Sequence, residues 1–482
     1  MNYKMVWRTL GNIVALEGAL LLLPALCSVC CAEWRIALIF LATAAAAVLA
    51  GILVSRLFRN CDRTIYAREG FVIVGLAWIL MGAVGAVPFL FTGDITSPVD
   101  AFFETVSGLT TTGASILRDV TALSRGGAMW RSFTHWIGGM GVLVLMMAIL
   151  SDSTGRSIHI MRAEMPGPVV DKIMPRVRDT AKVLYLMYIG LTLGEVIFLL
   201  TGGMSLYDAL IHAFGTAGTG GFSVRAESIG AYSPYIQWVV TVFMLLFGVN
   251  FNLYYLLLIR RFRSALRSEE LWMYAGIVGV MIAVVTGNIF RTVYASFPEA
   301  LRYAAFQVAS IVTTTGYATA DFDAWPNLSR TLLFLLMFVG GCAGSTAGGL
   351  KMSRVGILFK CAKRELGKLL HPRSVTTVRF EGKPVDEATR VGVTHYFALY
   401  AFLLALILVL IGREPFDLET NITAAVSCFN NVGPGLSSVG PTRNYADYSA
   451  FGKLVLSSAM LFGRLEIYPL LLTFTPLTWK KR

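Results

Sequence analysis

Four times along this chain the same order of segments recurs: an apolar run long enough to cross a bilayer, a shorter semi-polar run that is not, and a second long run. A bilayer core takes about 20 apolar residues per helix. The long runs lie at 9–31, 36–57, 70–92, 128–150, 181–202, 234–259, 271–290, 327–359, 392–411 and 449–475. The short ones lie at 97–113, 205–220, 296–316 and 416–433. After the first two long runs the unit repeats at a period of roughly 100 residues. Repeated units of membrane proteins pack about a shared axis, so the sequence points to one helical body built from four related parts.

Composition agrees with a chain dissolved in lipid. Of its 482 residues 56% are hydrophobic and 15% charged, against about 25% charged in soluble domains. The net charge is +12, and its distribution excludes nucleic-acid binding. No soluble domain presents a basic face interleaved with aromatics. Instead, 29 of the 41 basic residues fall in six segments between or flanking the spans. With ten crossings all six lie on one side, which is the cytoplasm by the positive-inside pattern. The N- and C-termini are then cytoplasmic, and the four short runs lie on the outer side in a common orientation. The first run, preceded by Lys4 and Arg8, is longer than a signal-peptide core and is read as a retained anchor helix.

Each short run has one layout. Three open with S-x-x-[DE]: Ser97 to Asp100, Ser205 to Asp208, and Ser296 to Glu299; the fourth starts near Asp417. This is a helix start in which Ser caps and the acid faces the helix dipole. A helix of about three turns cannot cross, so it dips in and returns. Its C-terminal end then sits near mid-membrane with about half a negative charge, which favours a cation. The helices are followed by Thr110-Thr111-Thr112-Gly113, Ala217-Gly218-Thr219-Gly220-Gly221, Thr313-Thr314-Thr315-Gly316 and Asn430-Asn431-Val432-Gly433. One such run could be helix-packing glycine and threonine. Four copies in phase, each after a short capped helix, instead predict carbonyl oxygens turned to a common axis, where they replace the hydration shell of a monovalent cation. The expected fold is therefore an all-α polytopic membrane protein, with two leading transmembrane helices plus four parallel helix–pore loop–helix repeats around one pore. Its expected divisions are 1–69 for the leading pair and 70–160, 161–265, 266–385 and 386–482 for the repeats.

On these motifs, with Thr216 to Ser223 and Asn430 to Gly435, the chain resembles the Trk/Ktr/HKT superfamily of K⁺ uptake proteins and, within it, the bacterial TrkH/TrkG pore subunits. The resemblance implies a K⁺-conducting pore of the inner membrane. Each repeat would give one filter glycine, Gly113, Gly220, Gly316 and Gly433, flanked by Thr111, Thr112, Thr219, Thr315 and Val432. Gly113 stands where Na⁺-passing members carry Ser. The resemblance also implies a homodimer and a cytosolic, TrkA-like nucleotide-binding regulatory subunit. K⁺ would be cargo, with no bound cofactor. A symporter coupling K⁺ to H⁺ or Na⁺ is the other functional reading.

The run Gly340 to Gly349 has five glycines in ten residues, which a straight helix holds only at a cost. Read from the residues, it is either a close-packing stripe or a broken helix. The resemblance makes Gly344, Ser345, Thr346, Ala347 and Gly348 an intramembrane gating loop. Leu350 precedes Lys351, so no phosphate-binding loop is formed there. Arg464, inside the last span, either snorkels, pairs with Glu466, or faces the pore; the resemblance favours the pore, against the gating loop. Lys453, nearer the outer end, is expected to snorkel or pair. His135 and His212 are expected to be packing residues. The seven Cys have no metal-ligand spacing, and no catalytic constellation is present, so an enzyme is not expected.

Overall fold

Helices in this chain begin where a side-chain oxygen is available to cap them. Ser97, Ser205 and Asp417 accept from the backbone N–H groups of Asp100, Asp208 and Thr420 at the heads of three short helices. Ser124, Ser233, Ser268, Asp386 and Ser449 do the same at the heads of longer ones. Each such cap stabilises its helix by about 0.5–2 kcal/mol. The Thr420 hydroxyl also holds the Asp417 carboxyl below its ordinary range. Ser296 departs from expectation: it makes no side-chain cap, and Pro298 in the first turn sets the start of that helix instead.

The computed structural model describes residues 1–61, 66–141, 177–373 and 376–480. The leading pair is Tyr3–Leu20, continued by Leu22–Cys30, against Trp34–Leu57. Small residues let the backbones touch: a Cβ on Gly11 would lie 2.7 Å from the Gly51 carbonyl oxygen. The first repeat has Ala67–Thr92, the short helix Pro98–Leu109, and Arg125–Met140. The second has Val177–Thr201, Leu206–Gly218, and Pro234–Phe247 followed by Phe251–Leu258. In the third, Glu269–Ile289 and Phe297–Val312 are followed by Asn327–Leu336 and Met352–Leu370. The fourth has Glu387–Ile411, Leu418–Asn430, and Ala450–Arg464 followed by Tyr468–Phe474. The one sheet among the described residues is a two-stranded hairpin, Arg379–Phe380 with Lys383–Pro384.

Among the described residues six helices are long and apolar enough to cross a membrane. Their lipid-facing sides carry bare apolar residues: Leu49, Leu53, Phe402 and Val409 are each about two-thirds exposed or more. In water such a belt would be untenable; in lipid it is the solvent-matched surface. The short helices do not span. Pro98–Leu109 has 12 residues and rises about 18 Å.

Two runs expected to be unbroken are broken. The 234–259 run bends by 91° between Phe247 and Phe251, because the Gly248 carbonyl accepts from Cys342 N–H (2.9 Å) rather than from its own helix. The 449–475 run stops at Arg464, where Glu466 and Ile467 take positive φ (54° and 69°). A β-branched residue rarely does so; here Arg354 pins Glu466 at 2.5 Å, and Ile467 N–H bonds the Phe462 carbonyl at 2.9 Å. The 327–359 run is interrupted between Asn327–Leu336 and Met352–Leu370, the broken-helix alternative of the two its glycines left open. The expected run 128–150 appears as Arg125–Met140. Its remainder from 142, and the basic residues Arg63, Arg156, Arg162, Lys172, Arg176, Lys481 and Arg482, lie outside the described residues.

Candidate functional site

The loops that follow the four short helices repeat one backbone conformation. In each, a residue in the left-handed region ends the helix: Thr111 (φ 54°), Thr219 (56°), Thr314 (54°) and Asn431 (57°). The next residue donates its N–H five residues back, from Thr112 to Ser107 (2.9 Å), Gly220 to Gly215 (2.8 Å), Thr315 to Ser310 (2.8 Å) and Val432 to Ser427 (2.9 Å). Then comes a glycine with positive φ: Gly113 (78°), Gly221 (78°), Gly316 (81°) and Gly433 (101°). Side chains rarely adopt these angles, which turn the carbonyls. The register corrects the sequence reading at one place. Gly221 is the counterpart of the other three glycines, and Gly220 is the counterpart of Thr112, Thr315 and Val432.

The four loops meet. A Cβ on Gly113 would strike the carbonyl oxygen of Gly220, one on Gly221 that of Thr315, and one on Gly316 that of Val432. One on Gly433 would come within 2.5 Å of the Thr112 carbonyl oxygen. The contacts run from the first loop to the second, third and fourth and back to the first, a closed ring. A cavity of about 160 Å³ opens onto it, lined by Gly113, Gly221, Gly316 and Gly433 together with Arg118 and Arg443.

Side chains behind the ring hold it. Thr112 and Thr315 share hydroxyl bonds of 2.8 Å with Thr110 and Thr313. Asn431 Nδ2 donates to Thr112 Oγ1 (3.0 Å), tying the fourth loop to the first. The Tyr445 hydroxyl donates to the Gly433 carbonyl (2.8 Å). Glu104 and Arg131 form an ion pair of 2.6 Å with both side chains buried. Glu104 also accepts from Ser115 Oγ and Ile116 N–H (2.9 Å each), while Arg131 donates to the Ser223 carbonyl (3.2 Å) and covers the Phe222 ring. The pair thus binds the segments leaving the first and second loops. Lys453 pairs with Asp100 at 2.6 Å, the second of its expected alternatives. His212 is a satisfied packing residue, bonded to the Asp208 carbonyl (2.7 Å) and Ser223 Oγ (3.0 Å).

The glycine-rich stretch is a loop between two helices, directly against the ring. Gly348 N–H donates to Thr314 Oγ1 (2.7 Å). Its other end is gripped by Glu270, whose Oε1 accepts from Ala343 N–H (2.8 Å) and from Ser353 N–H (2.9 Å), one on each arm of the loop. Arg464 donates to the Thr346 carbonyl at 2.8 Å and to those of Gly138 and Gly139 at 2.5 and 2.7 Å. It therefore bridges this loop to the end of Arg125–Met140, while Glu466 is taken by Arg354. Gly344, Ser345, Thr346, Ala347, Gly348 and Arg464 all belong to this one layer under the ring. Reading the sequence did not single out Gly221, Glu104, Arg131, Glu270 or Tyr445. Only Gly221 had a usable signal, and a partial one: the offset from helix start to glycine is sixteen in Ser97–Gly113, Asp417–Gly433 and Ser205–Gly221, but twenty in Ser296–Gly316.

A re-entrant ring inside a multi-pass helical body defines the class as a membrane protein of the ion-transport kind, not an enzyme, and the relatives agree. A profile of TrkH, cation transport protein, matches residues 38–273 and 277–481. The chain is 36% identical to the Trk system potassium uptake protein TrkH of Salmonella typhimurium over 486 residues, covering all of both chains. It is 34% identical to the Trk system potassium uptake protein TrkG of Escherichia coli, over 86% of each. The crystal structure of the potassium transporter TrkH from Vibrio parahaemolyticus superposes with a TM-score of 0.88, at 32% identity and full coverage of both. The chain belongs to the TrkH family of cation transport proteins.

Proposed function

We propose that this protein is the pore subunit of a K⁺ uptake system, conducting K⁺ through a filter of backbone carbonyls from the four loops. The observation that carries the reading is the closed ring of glycine contacts. Carbonyls held at fixed positions in a site that excludes bulk water can take over an alkali ion's hydration shell. The four short helices point their C-terminal ends at that ring and add negative potential there. Among the described residues no carboxylate lines the cavity at the ring, which suits a monovalent ion better than Ca²⁺ or Mg²⁺. The names of the relatives, potassium uptake proteins, support K⁺ as cargo.

The filter positions in this reading are Thr111, Thr112 and Gly113; Thr219, Gly220 and Gly221; Thr315 and Gly316; Val432 and Gly433. The 344–348 loop with Arg464 is the gate: the loop lies across the path beneath the ring, and the guanidinium adds a positive barrier. The chain crosses the inner membrane ten times with both termini cytoplasmic, in four repeats at 70–160, 161–265, 266–385 and 386–482 after the leading pair at 1–69. It works as a homodimer under a cytosolic, TrkA-like nucleotide-binding subunit.

The decisive test is Rb⁺ and Na⁺ flux into liposomes carrying the Gly113→Ser variant. The expected result is a changed Rb⁺/Na⁺ preference in protein that still folds; an unchanged preference removes Gly113 from the filter. The same liposomes separate a pore from a symporter, because a pore dissipates a K⁺ gradient with no second ion gradient present.

A further inference from the structure

The second loop lacks something that the first and third share. Those two carry a hydroxyl pair behind the ring, Thr110 with Thr112 and Thr313 with Thr315. The counterparts in the second loop are Gly218 and Gly220, so the loop has no side chain at either place. The backbone at Gly220, unlike that at Gly221, lies outside the left-handed region, so conformation does not demand glycine there. Space does. A Cβ on Gly220 would collide with the imidazole of His135, 2.5 Å from Cε1 and nearer still to Cγ and Nδ1. A Cβ on Gly218 would strike the His135 backbone, 2.5 Å from its carbonyl carbon.

His135 comes from Arg125–Met140, the second long helix of the first repeat. It is fully buried. Its Nδ1 lies 2.8 Å from the Gly108 carbonyl oxygen, and since a carbonyl only accepts, Nδ1 carries the proton. The ring packs on Phe222, centroid to centroid 4.1 Å, just past the loop's glycines. One imidazole thus joins the end of the first short helix to the glycine turn of the second loop.

We infer that His135 is a specificity-determining positioning residue: its imidazole, supplied by the first repeat, stands in for the side chain that the second pore loop lacks and sets where the Gly220 and Gly221 carbonyls sit. The inference rests on the filter reading above and goes beyond it, because it makes the second loop's geometry a property of two repeats. It also accounts for the departure of the second loop's sequence from the T-T-T-G pattern of the first and third.

The test is a side-chain exchange. Gly220→Val introduces the residue that the fourth loop carries at this position, Val432. With His135 in place it collides with the ring, and the expected result is a loss of Rb⁺/Na⁺ discrimination in liposomes of about tenfold, as for about 1.4 kcal/mol of misplacement. His135→Ala alone empties the space behind the loop and is expected to lower discrimination as well. The double variant His135→Ala/Gly220→Val puts a side chain back where the imidazole was, and is expected to discriminate better than either single variant. Single variants that lose discrimination, with a double variant no better than the worse of them, overturn the inference and leave the filter reading standing. Unaltered discrimination in all three variants overturns the filter reading at the second loop. If Gly220→Val fails to assemble, the double variant is expected to regain a monodisperse, thermally stable form; its failure to do so also overturns the inference.

Discussion

At the scale of single residues, charge is handled by pairing. Arg464 spends its guanidinium on three backbone carbonyls, one in the 344–348 loop and two at the end of Arg125–Met140. Arg464→Gln removes that bridge and its charge, so on the gating reading unstimulated Rb⁺ flux in liposomes should rise; flux equal to or below that of the native protein would take Arg464 out of the gate. Arg131 is a different case, because its partner Glu104 is buried with it. Removing one partner of a buried pair costs about 3–5 kcal/mol, since the other charge is left uncompensated. Arg131→Met should therefore lower the thermal midpoint in detergent, and Glu104→Gln added to it should recover part of the loss. The sequence showed Arg464 as an anomaly, a charge within an apolar span. It did not show Glu104 and Arg131 as a pair, because they are 27 residues apart on two helices whose packing no local pattern reports. Gly220 enters the sequence reading as the filter glycine through the family resemblance; the backbone makes Gly221, the one of the two with positive φ, the counterpart of Gly113, Gly316 and Gly433.

At the scale of elements, the informative places are where helices fail. The span lengths and the short capped helices were legible because period, length and capping are local properties. The breaks at Gly248 and Glu466 were not, since each is stabilised by a partner from another repeat: Cys342 N–H for the first and Arg354 for the second. The run from Gly340 was legible as a weak helix, yet its docking depends on Glu270, at the start of Glu269–Ile289, which no local pattern ties to the loop. One Glu270 oxygen accepts from both arms of the loop. Glu270→Ala strands two buried N–H groups, each at about 1–3 kcal/mol, so it should loosen the loop and raise unstimulated Rb⁺ flux. Glu270→Gln keeps an accepting oxygen and should do so less. Equal flux from Glu270→Ala and native protein would mean that the loop holds its place without this carboxylate.

At the scale of the whole molecule, the topology reading is testable without any transport assay. On a cysteine-free background, Thr121→Cys on the exposed segment after the loop that ends at Gly113 should react with a membrane-impermeant maleimide in intact cells. Glu365→Cys, exposed on Met352–Leu370, should react only after permeabilisation. Labelling of both from outside would break the ten-crossing arrangement. Fourfold recurrence was the most legible property of the chain, because it is written in hydropathy; the closure of the four parts was not, because it is written in contacts between distant residues.

That closure bears on how the molecule is made. Thr112 touches Asn431 across 319 residues, and Asp100 is held by Lys453 near the far end. A ribosome adds about 5–20 residues per second, so tens of seconds separate the synthesis of the two edges of the seam. Throughout that interval the nascent protein is a wall with an open side, and the aperture comes into being only when the last quarter arrives. On the pore reading, a chain cut short before the fourth quarter leaves the seam unsealed and should carry no flux of its own.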